Sequence, residues 1–277
     1  MWRVVLPLLV LLAACGESKE ENGSEPKDKK AKVVVHFKNE KEMDARVIEI
    51  DSITTAADQI ASSLRYSKDE TGEWVEVFGY MNANNEIMKI EEQFSDGNGK
   101  NNGKRLYYLN GGKPFLTMEL IDEVNGDKAQ FVDRISYYNE KGKVMKTKER
   151  RGDYQDLTET MQYKPAPLFG ITMDRAMRAL NQEKEFQTTF QGFIHQDVFS
   201  YLIVGENNPD GFRSTLRLDY KDKLIQLMSD NENGYMGEPI RVNFQKHTDE
   251  TGFQFQVYAG GLLAEEAKEL EAQKKKK

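Results

Sequence analysis

Between residues 74 and 163 apolar and polar residues alternate with a period of two, and this pattern constrains the fold more than any other feature. Segments rich in Asn, Asp and Gly interrupt it, and such residues supply the positive φ of tight hairpin turns. Links this short join antiparallel strands, because a parallel crossover needs about a dozen residues or more. The sequence therefore predicts an antiparallel meander with strands near 74–80, 87–94, 104–109, 114–122, 130–138 and 143–149.

A second meander is predicted beyond 165–167, where Pro165 and Pro167 disfavour both helix and strand pairing. Its strands are predicted at 186–194, 198–204, 212–220, 224–228, 240–244 and 253–258. Apolar spacing predicts helices at 52–65 and 172–184, and a β-branched run predicts a strand at 33–37. The predicted fold class is mainly β with a few helices (α+β). It has two antiparallel β-meander halves, each preceded by one helix, with one sheet face covered and the other in water.

The first fifteen residues form a charged start, an apolar run and the ending Leu12-Ala13-Ala14-Cys15. This ending resembles the lipobox of bacterial lipoproteins. The resemblance implies that residues 1–14 are a signal peptide and that Cys15 carries lipid, of the kind that palmitate labels. The alternatives are an ordinary secretory signal and a transmembrane anchor. A helix of the eleven apolar residues from Val4 to Ala14 would span only about 16 Å of a hydrocarbon core of about 30 Å.

Residues 15–32 contain almost nothing apolar, so we expect a lipidated, disordered tether. Folded sequence is expected at 33–164 and 165–261, followed by a charged C-terminal helix or tail at 262–277. Gly16 stands where an Asp would resemble the inner-membrane retention signal of enteric bacteria, which favours the outer membrane of the cell envelope over the inner. We expect the membrane to be a partner through the N-terminal lipid.

The formal net charge of −7 argues against nucleic acid as a partner, because an acidic surface repels phosphate. Cys15 is the only cysteine, which excludes a disulfide and thiolate metal sites. His36, His195 and His247 have no metal-ligand spacing, and no catalytic motif is present. We expect no enzyme activity, no cofactor and no metal site.

Tyr80, Tyr108 and Tyr138 each end a strand before an Asn- or Gly-containing turn and a returning strand. These three hairpins within 74–150 resemble MORN-variant repeats. The regular glycine spacing of those repeats is missing, so an ordinary meander with well-formed turns stays open as the alternative.

Tyrosines are the remaining candidates for a functional surface, because their rings carry apolar area with a polar tip. Strand alternation should turn one residue of each Tyr-Tyr pair outward, so Tyr107, Tyr137, Tyr80 and Tyr163 form the candidate binding face. The first functional hypothesis is a non-enzymatic module that binds an envelope protein or glycan. The alternative is a carrier or chaperone that holds a lipid or another apolar ligand between a helix and the curved sheet. A hydrolase would need converging carboxylates or histidines that the sequence does not reveal.

Overall fold

The structure is a computed structural model that describes residues 34–55, 60–126, 128–196 and 198–275. The predicted signal peptide, Cys15 and the tether at 15–32 lie outside these residues. The described chain is mainly β with several helices, which confirms the coarse fold class. No helix in these ranges is long and apolar enough to cross a membrane.

Strands β1 to β14 form one sheet in the described part of the chain. In chain order they are Ile60–Ser62, Tyr66–Lys68, Glu73–Met81, Ile87–Ser95, Asn102–Asn110, Lys113–Asn125, Lys128–Tyr138, Val144–Gly152, Lys164–Ala166, Thr189–His195, Ser200–Gly205, Arg213–Leu218, Ile240–Thr248 and Gln254–Leu263. Across the sheet the order is β10-β11-β12-β2-β3-β4-β5-β6-β7-β8-β9. β1 pairs with β3, and the β13–β14 hairpin joins β12 through one parallel pair.

The first meander forms where the alternation predicts it. The six predicted strands correspond to β3–β8, and each pairs antiparallel with the next along the chain. Asn85 and Gly142 adopt positive φ, 62° and 76°, at two of the turns. Turn chemistry and alternation thus predict this part of the sheet strand by strand.

The helices depart further from prediction. Helices α1 to α6 span Glu40–Thr55, Gln155–Glu159, Asp174–Asn181, Lys223–Asp230, Glu232–Tyr235 and Ala264–Lys275, and a 3-10 turn covers Lys184–Phe186. α3 lies within the helix predicted at 172–184. The helix predicted at 52–65 is wrong: α1 ends at Thr55, and β1 begins at Ile60. Residues 34–37 of the predicted strand at 33–37 have no regular structure.

The strand predicted at 224–228 is also wrong, because these residues belong to α4. The Asp222 carboxylate accepts a hydrogen bond from the backbone N of Ile225 at 2.9 Å, which caps the helix N-terminus. Leu224, Ile225 and Met228 are buried at helical spacing. An apolar run this short fits a buried strand or a buried helix equally well.

Pro165 takes part in strand pairing, contrary to the prediction for the 165–167 break. It lies opposite Lys148 in the β8–β9 pairing. β9 is at the end of the sheet order, where a residue without an N–H is tolerated.

Helices cover both faces of the central strands. On the α1 face, Met43 and Ile50 of α1 pack among Tyr108, Leu116, Tyr137 and their neighbours. On the opposite α3 face, Ala176 and Ala179 of α3 pack with apolar residues of β3 to β7. Every residue from Phe131 to Tyr138 in β7 is buried, so the expectation of a solvated face is wrong for the middle of the sheet.

One hydrophobic core extends from the strands β3–β7 to the strands β10–β14. The ring centroids of Tyr66, in β2, and Phe186 are 5.0 Å apart, and the Tyr66 hydroxyl donates to the Phe186 carbonyl at 2.9 Å. Phe186 also packs on Phe212 at 5.0 Å. The sheet connection here is a single register pair, Ser67 with Arg213. Side-chain packing therefore joins these two parts of the sheet more extensively than this backbone pairing does.

Candidate functional site

A groove lies on the same face of the sheet as α1. It is at the end of the central strands that α1 leaves uncovered. Its volume is about 330 Å³, within the range of about 300–1,000 Å³ that is typical of small-ligand sites. The residues that line it are Trp74, Gln93, Phe94, Asn102, Gly103, Lys104, Leu120, Asp122, Phe131 and Gln155. We call it the Trp74 groove.

Strand register brings these residues together from five strands. One cross-strand row contains Trp74, Asn102, Asp122 and Phe131, because the residues opposite one another in successive strands share a face. The next row on the same face contributes Gln93, Lys104 and Leu120. Gln155, the first residue of α2, closes one end.

Gly103 lets β5 and β6 approach closely between Asn102 and Lys104. Its φ is +139°, and a Cβ at this position would lie 2.3 Å from the Leu120 carbonyl oxygen. Only glycine adopts this backbone conformation without strain. The spacing of Asn102 and Lys104 along the groove therefore depends on this residue.

The indole of Trp74 is held from one side. The Arg65 guanidinium carbon lies 4.1 Å from the ring centroid, a cation–π contact, and Arg65 also pairs with Glu76 at 3.4 Å. Arg65 contacts one face of the ring, and Trp74, which is half-buried, is one of the residues that line the groove. With Leu120 and Phe131, Trp74 gives the groove an apolar floor.

The polar side chains at the rim have unused hydrogen-bonding capacity. Within the described residues, Asn102, Lys104 and Asp122 have no side-chain hydrogen bond and no ion pair. The amide nitrogens of Gln93 and Gln155 donate to Glu91 at 2.8 Å and Glu159 at 2.7 Å, which fixes both amides. The groove therefore combines an apolar floor with donors and acceptors that are free to bind a ligand.

Two of the four tyrosines predicted to form a binding face are buried in the core. Tyr107 and Tyr137 are buried, with 1% and 0% of their surface exposed, and they lie on opposite faces of the sheet. The prediction that they point outward is wrong because helices cover both faces. Tyr80 and Tyr163 are half-buried.

The buried hydroxyls are committed to internal hydrogen bonds. Tyr107 donates to Glu92 at 2.9 Å, Tyr137 to Asp44 at 2.8 Å and Tyr163 to Asp133 at 2.7 Å. Burial raises the pKa of all three hydroxyls above the ordinary tyrosine value, and the neighbouring carboxylates raise these pKa values further. These tyrosines stay protonated and serve the fold as donors.

A ladder of alternating charges crosses the α3 face, and sequence reasoning missed it. Cross-strand register places Glu92, Arg105, Glu119, Arg134 and Glu149 opposite one another in β4 to β8. Glu119 accepts from Arg105 at 2.9 Å and from Arg134 at 2.8 Å, and Arg134 also bonds Glu149 at 3.0 Å. Each carboxylate is paired with an arginine, so the ladder stabilises the sheet and offers no free base.

Glu92, at the end of this charge ladder, also connects the sheet to α3. Its carboxylate accepts from Arg175 at 2.5 Å and from Tyr107. Glu91 lies on the other face, because adjacent residues of a strand point to opposite sides of the sheet. The two carboxylates therefore do not act on a common substrate.

The histidines are separate from one another. His36 contacts Glu140 at 2.6 Å, His195 contacts Ser200 at 2.9 Å, and His247 stacks on Phe255 with ring centroids 5.7 Å apart. Among the described residues, no three His, Cys, Asp or Glu side chains group as metal ligands would.

The Trp74 groove was not predicted, although its signal is present in the sequence. Once the turns set the register, Trp74, Asn102 and Asp122 fall on the same face of the sheet. No protein-family model, no curated protein and no solved structure matches this chain.

Proposed function

We propose that this protein is a lipid-anchored lipoprotein of the bacterial cell envelope and a non-enzymatic binding module that engages its partner through the Trp74 groove. The observation that carries the binding proposal is the combination of an apolar floor with the free side chains of Asn102, Lys104 and Asp122. Lys104 and Asp122 are half-buried, and polar groups shielded from water normally find partners within the fold. These two groups are unpaired within the described residues and lie beside the exposed amide of Asn102 in a concavity of ligand size, which favours a bound partner.

The anchor half of this proposal rests on the Leu12-Ala13-Ala14-Cys15 ending and on the apolar-poor stretch at 15–32. Under this proposal Cys15 carries the lipid and the tether holds the folded part near the membrane. Gly16 after the cysteine favours the outer membrane.

The carrier alternative is less well supported by the geometry. A lipid carrier needs an apolar cavity between α1 and the sheet. Met43 and Ile50 instead pack directly into the core of the α1 face, and Asp44 and Asp51 bind the hydroxyls of Tyr137 and Tyr108. The described groove lies beyond α1 and has a polar rim, which fits a polar partner better than an acyl chain.

We also infer that the sheet consists of two meander halves, each preceded by one helix. α1 precedes β3–β8, and α3 precedes β10–β12. The single Ser67–Arg213 pair at their junction supports this division of the sheet. The likeness of the first-half hairpins to MORN-variant repeats remains a hypothesis.

A bulky charge in the groove should abolish partner binding. In affinity purification of the full-length protein from detergent-solubilised envelopes, we expect Asn102→Arg to reduce recovery of protein- or sugar-bearing partners at least tenfold, on the order of the loss of one binding hot spot. Asn84→Arg is the matched control, because Asn84 is exposed in the turn between β3 and β4, at the other end of these strands. Equal recovery of all partners by both variants would contradict the assignment of the groove.

A further inference from the structure

We propose that the ligand of the Trp74 groove is a neutral oligosaccharide, with one sugar ring stacked against the indole of Trp74. This inference rests on the groove being the binding site proposed above, and it names the chemical class of the ligand. Three features of the groove carry it: its charge balance, its type of hydrogen-bonding group and its place on the sheet.

The charges of the groove balance. Lys104 provides one ammonium and Asp122 one carboxylate, and they lie on neighbouring strands without forming an ion pair within the described residues. A ligand with a strong net charge would be attracted by one group and repelled by the other. A neutral ligand rich in hydroxyls satisfies both, because a hydroxyl accepts from the ammonium and donates to the carboxylate.

The amides at the rim match the same chemistry. Asn102 offers both a donor and an acceptor, and Gln93 and Gln155 present acceptor oxygens while their nitrogens are held by Glu91 and Glu159. Sugar hydroxyls and N-acetyl groups bind to sites that offer both hydrogen-bond donors and acceptors. The C–H faces of a pyranose ring are apolar and suit the Trp74, Leu120 and Phe131 floor.

The place of the groove on the sheet argues against an extended peptide. A peptide that adds to a sheet needs an unpaired edge, which supplies backbone hydrogen bonds. The groove lies on the faces of β3 to β7, and each of these strands is paired on both sides. Recognition here is by side chains alone, and a volume of about 330 Å³ holds a short glycan segment rather than a folded surface.

Titration calorimetry on the detergent-solubilised full-length protein tests this inference. The probes are chitotriose, cellotriose, the acidic trisaccharide of galacturonate, and a neutral tetrapeptide. We expect at least one of the two neutral trisaccharides to bind more tightly than the acidic trisaccharide and the tetrapeptide. We expect Trp74→Ala to weaken this binding at least tenfold, as loss of an aromatic anchor does. Trp74→Phe, which keeps a ring, should stay within about threefold of the wild type.

Two further variants separate a binding effect from a folding effect. Asn102→Ala changes an exposed side chain and should weaken the same trisaccharide about fivefold through one lost hydrogen bond. Phe253→Ala removes an aromatic ring that is 65% exposed in the β13–β14 turn, and it should bind like the wild type. Absence of binding by both neutral trisaccharides, or binding that Trp74→Ala and Asn102→Ala leave unchanged, would overturn the inference. Tetrapeptide binding that depends on Trp74 would also overturn it and would leave the groove itself as the binding site.

Discussion

Glu119→Ala should lower the free energy of unfolding by about 3–5 kcal/mol, because it removes the buried carboxylate that Arg105 and Arg134 share. Glu119 is 3% exposed and lies between Arg105 and Arg134 in the charge ladder. Arg134 is itself buried, so its guanidinium would lose one of its carboxylates in a place that water reaches poorly. Screening by salt acts mainly on exposed charges, so high salt should not remove this loss.

Glu123→Ala is the matched control for this prediction. Glu123 is on the same strand, forms an ion pair with Arg151 and contacts Arg134 at 3.8 Å, but a third of its side chain is exposed. Its removal should cost about 1 kcal/mol or less, as is usual for exposed ion pairs. Urea unfolding curves of both variants measure the difference. Equal midpoints for the two variants would show that burial of the ladder does not govern its contribution.

Phe186→Ala should destabilise both meanders together, by about 3–5 kcal/mol, which is typical when a buried phenylalanine is truncated. Phe186 is fully buried between Tyr66 and Phe212, at ring distances of 5.0 Å on each side. The variant leaves a cavity at the junction and removes ring contacts from both sides. Because this core is shared, the loss of the Phe186 ring should lower the stability of the first meander as well as that of the second.

The fluorescence of Trp74 measures this effect in the first meander, far along the chain from residue 186. We expect the urea midpoint of the Trp74 signal to fall together with the midpoint of the far-UV circular dichroism signal. Phe253→Ala removes an exposed ring, so its free energy of unfolding should stay within about 0.5 kcal/mol of the wild type by both signals. A Trp74 transition that does not move in Phe186→Ala would mean that the halves unfold independently.

The sequence predicts β3–β8 well because each strand is bounded by a turn with a recognisable chemistry, and alternation within a strand is a local property. α1 is predicted poorly because only part of its contact with the sheet is apolar. Asp44 and Asp51 accept hydrogen bonds from the hydroxyls of Tyr137 and Tyr108, and apolar spacing does not predict such contacts. Because α1 covers that face, Tyr137 belongs to the core, and α3 buries Tyr107 on the opposite face in the same way.

The charge ladder and the Trp74 groove escape sequence reasoning for a related reason. Each depends on which residues stand opposite one another in successive strands, and a shift of one residue moves a side chain to the other face. The sequence around Glu119 therefore does not reveal that Arg105 and Arg134 flank this residue in the neighbouring strands. The sequence likewise identifies Trp74 only as a strand residue. The register is needed to show that Asn102 and Asp122 lie in the same cross-strand row.

Photo-crosslinking in living cells fed labelled palmitate tests most directly whether this is a lipid-anchored module that binds through its groove. A photoreactive residue replaces Asn102 in one strain and Asn84 in a control strain, and Cys15→Ala is combined with each. We predict a palmitate-labelled protein in the membrane fraction that forms an adduct from position 102 and none from position 84, and no label in the Cys15→Ala strains. An unlabelled protein with Cys15 intact, or adducts from position 84 without adducts from position 102, would contradict the account.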